Sequence, residues 1–280
     1  MILFSLPSAI FSGMRQTYIY RHFFQKIRIK ILPLETKIRA ISLIISNPKI
    51  AKYVINTTYI GDGILTTHNI DLLKDEKFTN AFGESVKYLP ENLPVKDILW
   101  RSHIFSWAYN RAKNLNAKDT RECADFVELG VWYGVLVKAA LNMDIEKSKE
   151  SIFYLVDPWG KKSEIDKISK KAKYSIDIFD VVRLRFEQYI NVKLIRGVVP
   201  DVLQEIKSKK IAFLSIDMNG SKPERLALEF FWPKLISGGI IYLDDFGDFS
   251  ELRKEVGEFL SDKSESLLYF PTGQALIIKD

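Results

Sequence analysis

From residue 125 onward, short apolar runs alternate with segments of helical pattern, and each of five runs stops at an acid or a glycine. DFVELG (125–130), SIFYLVD (151–157), VKLIRG (192–197), IAFLSID (211–217) and GGIIYLDD (238–245) read as strands. Between and after them, 134–143, 175–190, 198–210, 223–236 and 249–261 read as helices, with Pro200 in a first turn and a kink at Pro233. Strands this apolar are buried on both faces, which requires helices on both sides of a parallel sheet. Two last strands, 266–270 and 274–279, flank the turn residues PTG and pair antiparallel. The pattern predicts an α/β fold: a doubly wound, mostly parallel seven-stranded sheet with a C-terminal antiparallel hairpin. Ligands of such sheets bind beyond the carboxyl ends of the strands. Gly130, Asp157, Gly197, Asp217 and Asp244 therefore share one rim.

Residues 1–120 lack this alternation. They read as an N-terminal helical cap beside a sheet domain spanning 121–280. Residues 1–40 carry seven basic residues against Glu35, which accounts for the whole formal charge of +6. Their basic and aromatic mixture reads first as a helix with a solvated basic face; contact with an anionic membrane surface and self-association are the alternatives. Nucleic acid is not an expected partner. No apolar stretch approaches the roughly 20 residues of a membrane-spanning helix, and MILFSLPSAIF has no basic residue ahead of its apolar part. The expected location is cytoplasmic. The single cysteine, Cys123, excludes an internal disulfide and reads as a small buried hydrophobe.

Three features carry chemistry. VELGVWYG (127–134) joins a strand to a helix where dinucleotide folds place glycines around a pyrophosphate. Here Val131, Trp132 and Tyr133 separate Gly130 from Gly134, and Glu128 would repel a diphosphate, so a cationic ligand such as an ammonium or sulfonium suits the turn better. Asp157 ends the second strand, where a carboxylate can accept both hydroxyls of a ribose, or bond nearby backbone. Asp217, Asp244 and Asp245 end two strands expected to be neighbours. Their mutual repulsion calls for a cation, and oxygen ligands favour Mg²⁺ over Ca²⁺ or Mn²⁺. The other reading makes Asp244 a helix cap. His22, His68 and His103 show no metal spacing, and there is neither a Walker loop nor a G-x-S-x-G elbow.

DFVELGVWYG, FYLVDPWG, LSIDMN, PKLISGGIIYLDDFG and PTGQALIIK, in this order, resemble the class I S-adenosylmethionine-dependent methyltransferases. The similarity is to their macrocin O-methyltransferase-like group, which methylates sugar hydroxyls. THNIDLLKDEKF and WRSHIFSWAYNRA extend it upstream, so it covers roughly 62–280. The resemblance implies S-adenosylmethionine as cofactor and a saccharide or glycosylated small molecule as substrate. It implies cofactor binding by Glu128, Gly130, Val131, Trp132, Gly134, Asp157, Gly197 and Asp217, and a divalent cation on Asp217, Asp244 and Asp245. Related catechol-type enzymes place a lysine base three residues after the first metal aspartate; here that residue is Gly220. His103 and His68 are then the candidate bases. Two rival functions share the sheet: a nicotinamide-dependent oxidoreductase or epimerase, and a non-catalytic binding protein on the same fold.

Overall fold

A computed structural model describes residues 57–90, 93, 98–116, 123–143, 151–160 and 177–280. The basic segment 1–40 and the charged loop 161–176 lie outside the described residues. The chain divides into two compact units. In the smaller, the described residues are 57–60 and 65–70, where the Thr58 N–H donates to the Thr66 carbonyl at 2.9 Å. The larger comprises Gly61–Ile64 and Asp71–Asp280. The strands Tyr59–Gly61 (β1) and Ile64–Thr66 (β2) form a two-stranded sheet.

Seven strands build the main sheet: Asp125–Leu129 (β3), Phe153–Asp157 (β4), Val192–Arg196 (β5), Ile211–Ile216 (β6), Leu235–Leu243 (β7), Leu267–Tyr269 (β8) and Ala275–Ile278 (β9). Their order is β5-β4-β3-β6-β7-β9-β8, parallel from β5 through β7. β9 runs antiparallel between β7 and β8. The expected architecture is present, and the hairpin contributes both an inner strand and an edge.

Helices Glu76–Val86 (α1), Leu99–Asn116 (α2), Val135–Asn142 (α3), Phe179–Phe186 (α4), Ser221–Phe231 (α5) and Ser250–Leu260 (α6) surround the sheet. Strand alternation splits the core in two. Phe126, Leu155, Phe213, Ile240 and Tyr242 pack with α2, α3 and α4. Val127, Val156, Leu214, Ile241 and Leu243 pack with α5 and α6 on the other face. Among the described residues no helix is long and apolar enough to cross a membrane.

Two boundaries differ from the sequence expectation. The 198–210 segment forms a short 3-10 turn at Leu203–Glu205 rather than a helix. It buries Leu203 and Ile206, an i, i+3 pair that a 3-10 turn stacks on one side. α5 stops at Phe231, a 3-10 turn holds Pro233, and β7 begins at Leu235. Cys123 is exposed, not buried, because it precedes β3 and lies outside the packed layers.

α2 belongs to the core rather than to a cap. Phe105, Ala108, Tyr109 and Ala112 follow helical spacing, and all four are buried. The Phe105 ring sits edge-on to Phe213 at 5.2 Å and to Tyr242 at 5.3 Å, and Tyr109 lies 5.2 Å from Phe126. Without α2 the faces of β6 and β7 would meet water. Phe105→Ala should therefore cost about 3–5 kcal/mol of stability in denaturant titration. Trp107→Ala, on the same helix but half exposed, should cost less than about 1 kcal/mol.

Candidate active site

β3 and β6 meet closely at their carboxyl ends. The Asp217 N–H donates to the Leu129 carbonyl at 2.8 Å, and Gly130 stands at φ +83°. A Cβ on Gly130 would fall 1.7 Å from the Asp217 carbonyl oxygen, so only glycine fits. The chain then turns through Val131, Trp132 and Tyr133 into α3. Asp157, at the end of β4, holds that turn. Its Oδ2 accepts the N–H groups of Val131 and Trp132, both at 2.9 Å, and its Oδ1 accepts the Trp159 N–H at 2.6 Å. Trp132 and Trp159 both adopt left-handed backbone, at φ +49° and +42°. They are tied to each other by a 2.8 Å bond from the Trp159 indole to the Trp132 carbonyl. Arg185 Nε donates to the Tyr133 carbonyl at 3.0 Å. Gly134 opens α3 against Phe186, and Gly197 follows β5 beside Val202.

This bonding changes what the turn can bind. The two N–H groups that a dinucleotide fold would offer to phosphate are already satisfied by a carboxylate. A carboxylate has about four acceptor directions, and three on Asp157 are taken by backbone. One remains for a ligand hydroxyl, so backbone holding is the larger part of this residue's work. Burial pushes the Asp157 carboxyl up, against the pull of its three N–H donors.

Glu128 is 3% exposed, and its Oε2 has no hydrogen-bond partner among the described residues. Burial first, then the charges of Asp244 and Asp157, push it well above the usual carboxylate range. A buried acceptor without a donor is costly, and an ammonium or sulfonium brought beside it would relieve that cost.

Asp217, Asp244 and Asp245 converge as expected: one carboxylate oxygen from each lies within 4.8 Å of the others. Asp244 is 1% exposed and accepts the Tyr242 hydroxyl at Oδ1, 2.7 Å away. At Oδ2 it accepts Arg101 Nη1 from the first turn of α2. Arg101 also approaches Asp245 Oδ1 at 3.9 Å and, through Nε, Asp62 Oδ1 at 3.7 Å. Asp62 in turn caps α2, accepting the Trp100 N–H at 2.9 Å. Burial alone would lower the Arg101 pKa, but Asp244, Tyr242, Asp217 and Asp245 outweigh it and keep the guanidinium charged. Burial and the neighbouring Asp244 raise Asp217 well above its ordinary range and Asp245 to about 6. Burial also raises Asp244, against the pull of Arg101 and the Tyr242 hydroxyl.

The cation beside these acids is thus a guanidinium, a residue that sequence reasoning passed over. Its signal was available: a cation in a helix's first turn faces the positive end of the dipole and calls for acidic partners. Glu224 was also missed. It is buried in α5, and its Oε1 accepts the Gly220 N–H at 3.2 Å. The two candidate histidines have other recorded neighbours. The His103 ring packs edge-on to Phe78 at 5.8 Å and Trp100 at 5.7 Å, and burial lowers its pKa. His68 belongs to the smaller unit, where its N–H donates to the Thr66 hydroxyl at 3.1 Å.

Burial, then nearby Asp245, raises the Glu224 pKa from 4.5 to about 7. The folded chain therefore holds this proton more tightly than the unfolded chain. The associated stability is complete below pH 4.5 and is lost as pH rises to about 7. Glu224→Gln removes the loss: in cation-free buffer, its stability relative to wild type should climb by up to about 3 kcal/mol across that window. Denaturant titrations at several pH values read this directly.

Residues 127–246 match the family model described as "Methyltransferase domain", a span running from beside Glu128 to just past Asp245. No curated protein matches the sequence. Among solved structures, the O-methyltransferase NovP superposes with a TM-score of 0.56 at 17% identity, covering 75% of this chain and 98% of that one. The calicheamicin-biosynthesis enzyme CalS11, a TDP-rhamnose 3'-O-methyltransferase, gives 0.48 at 13%, covering 75% and 96%. The Podospora anserina methyltransferase PaMTH1, bound to SAH, gives 0.47 at 16%, covering 89% and 99%. The matched span, described as a methyltransferase domain, holds the acid-lined strand ends, and the superposition on NovP shows that the two chains share a fold.

Proposed function

We propose that the chain is an S-adenosylmethionine-dependent O-methyltransferase, assisted by a divalent cation and acting on a saccharide hydroxyl. The observation that carries this reading is the strand-end row of Glu128, Asp157 and the three aspartates. The row offers carboxylates to a cationic cofactor and oxygen ligands to a metal, while the Val131 and Trp132 amides are already taken by Asp157. The same bonding argues against the nicotinamide-dependent reading. NovP, which shares the fold, is described as an O-methyltransferase, consistent with a hydroxyl acceptor.

Both groups fit the residues present. Glu128, with its unpaired buried oxygen, would accept the ammonium of the cofactor's methionine part, and the last acceptor direction of Asp157 would take one ribose hydroxyl. Val131, Trp132, Gly134 and Gly197 would line the same cleft. For the metal, three carboxylate oxygens within 4.8 Å of one another are a suitable hard-donor set. When bound, the cofactor supplies an electrophilic methyl group, and a divalent cation supplies positive charge that orients substrate oxygens and eases hydroxyl deprotonation. The protein's own part is alignment and exclusion of water, and aligned reactants gain several kcal/mol over free encounter. Glu224, whose carboxyl is pushed up to about 7 by burial and by Asp245, joins His103 and His68 as a candidate acceptor of the hydroxyl proton.

Two measurements test the reading. Calorimetry should show S-adenosylhomocysteine binding to the wild type, with Glu128→Gln weaker by roughly 10–100-fold, the loss of one charge-assisted bond. Tight binding of NAD instead would overturn the cofactor assignment. Methyl transfer to a panel of sugar acceptors should stop in EDTA and return with Mg²⁺, and Asp245→Asn should lower turnover while leaving cofactor affinity nearly unchanged. Full activity in EDTA would remove the metal from the mechanism.

A further inference from the structure

Arg101 enters the acidic cluster from α2, a helix outside the 127–246 span that matches the methyltransferase family. Its placement is built in. Asp62 Oδ2 accepts the backbone N–H groups of Trp100 and Arg101 at 2.9 and 3.4 Å, and Asp62 Oδ1 lies 3.7 Å from Arg101 Nε. The Arg101 side chain is only 22% exposed, and its Nη1 lies on Oδ2 of Asp244, the most buried of the three acids. The other oxygen of Asp244 is engaged by Tyr242. A metal using Asp244 must therefore share a carboxylate that already has a guanidinium on one oxygen and a phenol on the other.

We infer that Arg101 is a resident counter-ion that competes with the divalent cation for Asp244 and so sets how tightly the metal is held. The inference rests on the metal reading above. Three carboxylates and one guanidinium carry a formal charge of −2, which a divalent ion neutralises. Without the guanidinium the same ligands carry −3 and attract the ion more strongly. Removing the arginine should therefore tighten metal binding, the opposite of what removing a supporting residue does.

The test is Mn²⁺ titration of the full-length, metal-stripped protein at pH 8, followed by the electron paramagnetic resonance of free Mn²⁺. Arg101→Gln and Arg101→Met are neutral variants, the second keeping the apolar stem, and Arg101→Lys keeps the charge. The expected result is Mn²⁺ binding at least about tenfold tighter in the neutral variants than in wild type. The lysine variant should stay within about threefold of wild type. Circular dichroism identifies any variant that does not fold, and one folded neutral variant decides the question. If wild type binds Mn²⁺ and a folded neutral variant binds it equally or more weakly, the role of Arg101 is overturned and the metal site stands. If no form of the protein binds Mn²⁺, the metal reading and this inference fail together.

Discussion

Three aspartates at the ends of two neighbouring strands repel one another in a place from which water is largely excluded. Charges in such a place survive only when opposed by charge or neutralised by protons. The structure uses both means: Arg101 reaches Asp244 and Asp245, while burial raises the pKa values of Asp217 and Asp245. The arginine comes from α2, whose next turns carry Phe105 and Tyr109 into the core. One helix thus closes a face of the sheet and supplies the cation at its rim. A change that shifted α2 would disturb packing and electrostatics together.

The turn after β3 depends on a comparable exchange. Trp132 and Trp159 hold backbone conformations that bulky residues avoid, at φ +49° and +42°. Asp157 stabilises both by accepting their N–H groups, and the Trp159 indole closes the arrangement onto the Trp132 carbonyl. The result is a turn whose Val131 and Trp132 amides are already bonded. Beside it lies Glu128, buried and with one oxygen unpartnered among the described residues.

Much of this was legible beforehand because its physics is local. Strand positions follow from apolar runs that must be buried on both faces, and IAFLSI is buried at every residue. The acids were legible because each sits where such a run stops. Less legible were segments whose conformation depends on neighbours. The 198–210 stretch carries a helical pattern, yet the packing of Leu203 and Ile206 selects a 3-10 turn. The expected boundary at residue 120 separated α2 from the sheet, although the compact unit reaches back to Asp71 and Gly61–Ile64. Nothing in the local sequence says which sheet face an amphipathic helix will cover.

The sequence by itself determined the alternation of strand and helix and the single rim on which the strand-end acids lie. Both follow from periodicity and from burial, whereas the need for glycine at 130 comes from the close approach of the Asp217 carbonyl. Tertiary structure decided the partners. Arg101 and Asp244 are 143 residues apart, and Val131 and Asp157 are 26 apart. Such pairs form because parallel strands bring distant segments to one edge. The same geometry turns Arg101 towards the acids and His103, two residues later, onto Phe78. In an α-helix residues two apart do not share a face, so once α2 had docked only one of the two could reach the cluster.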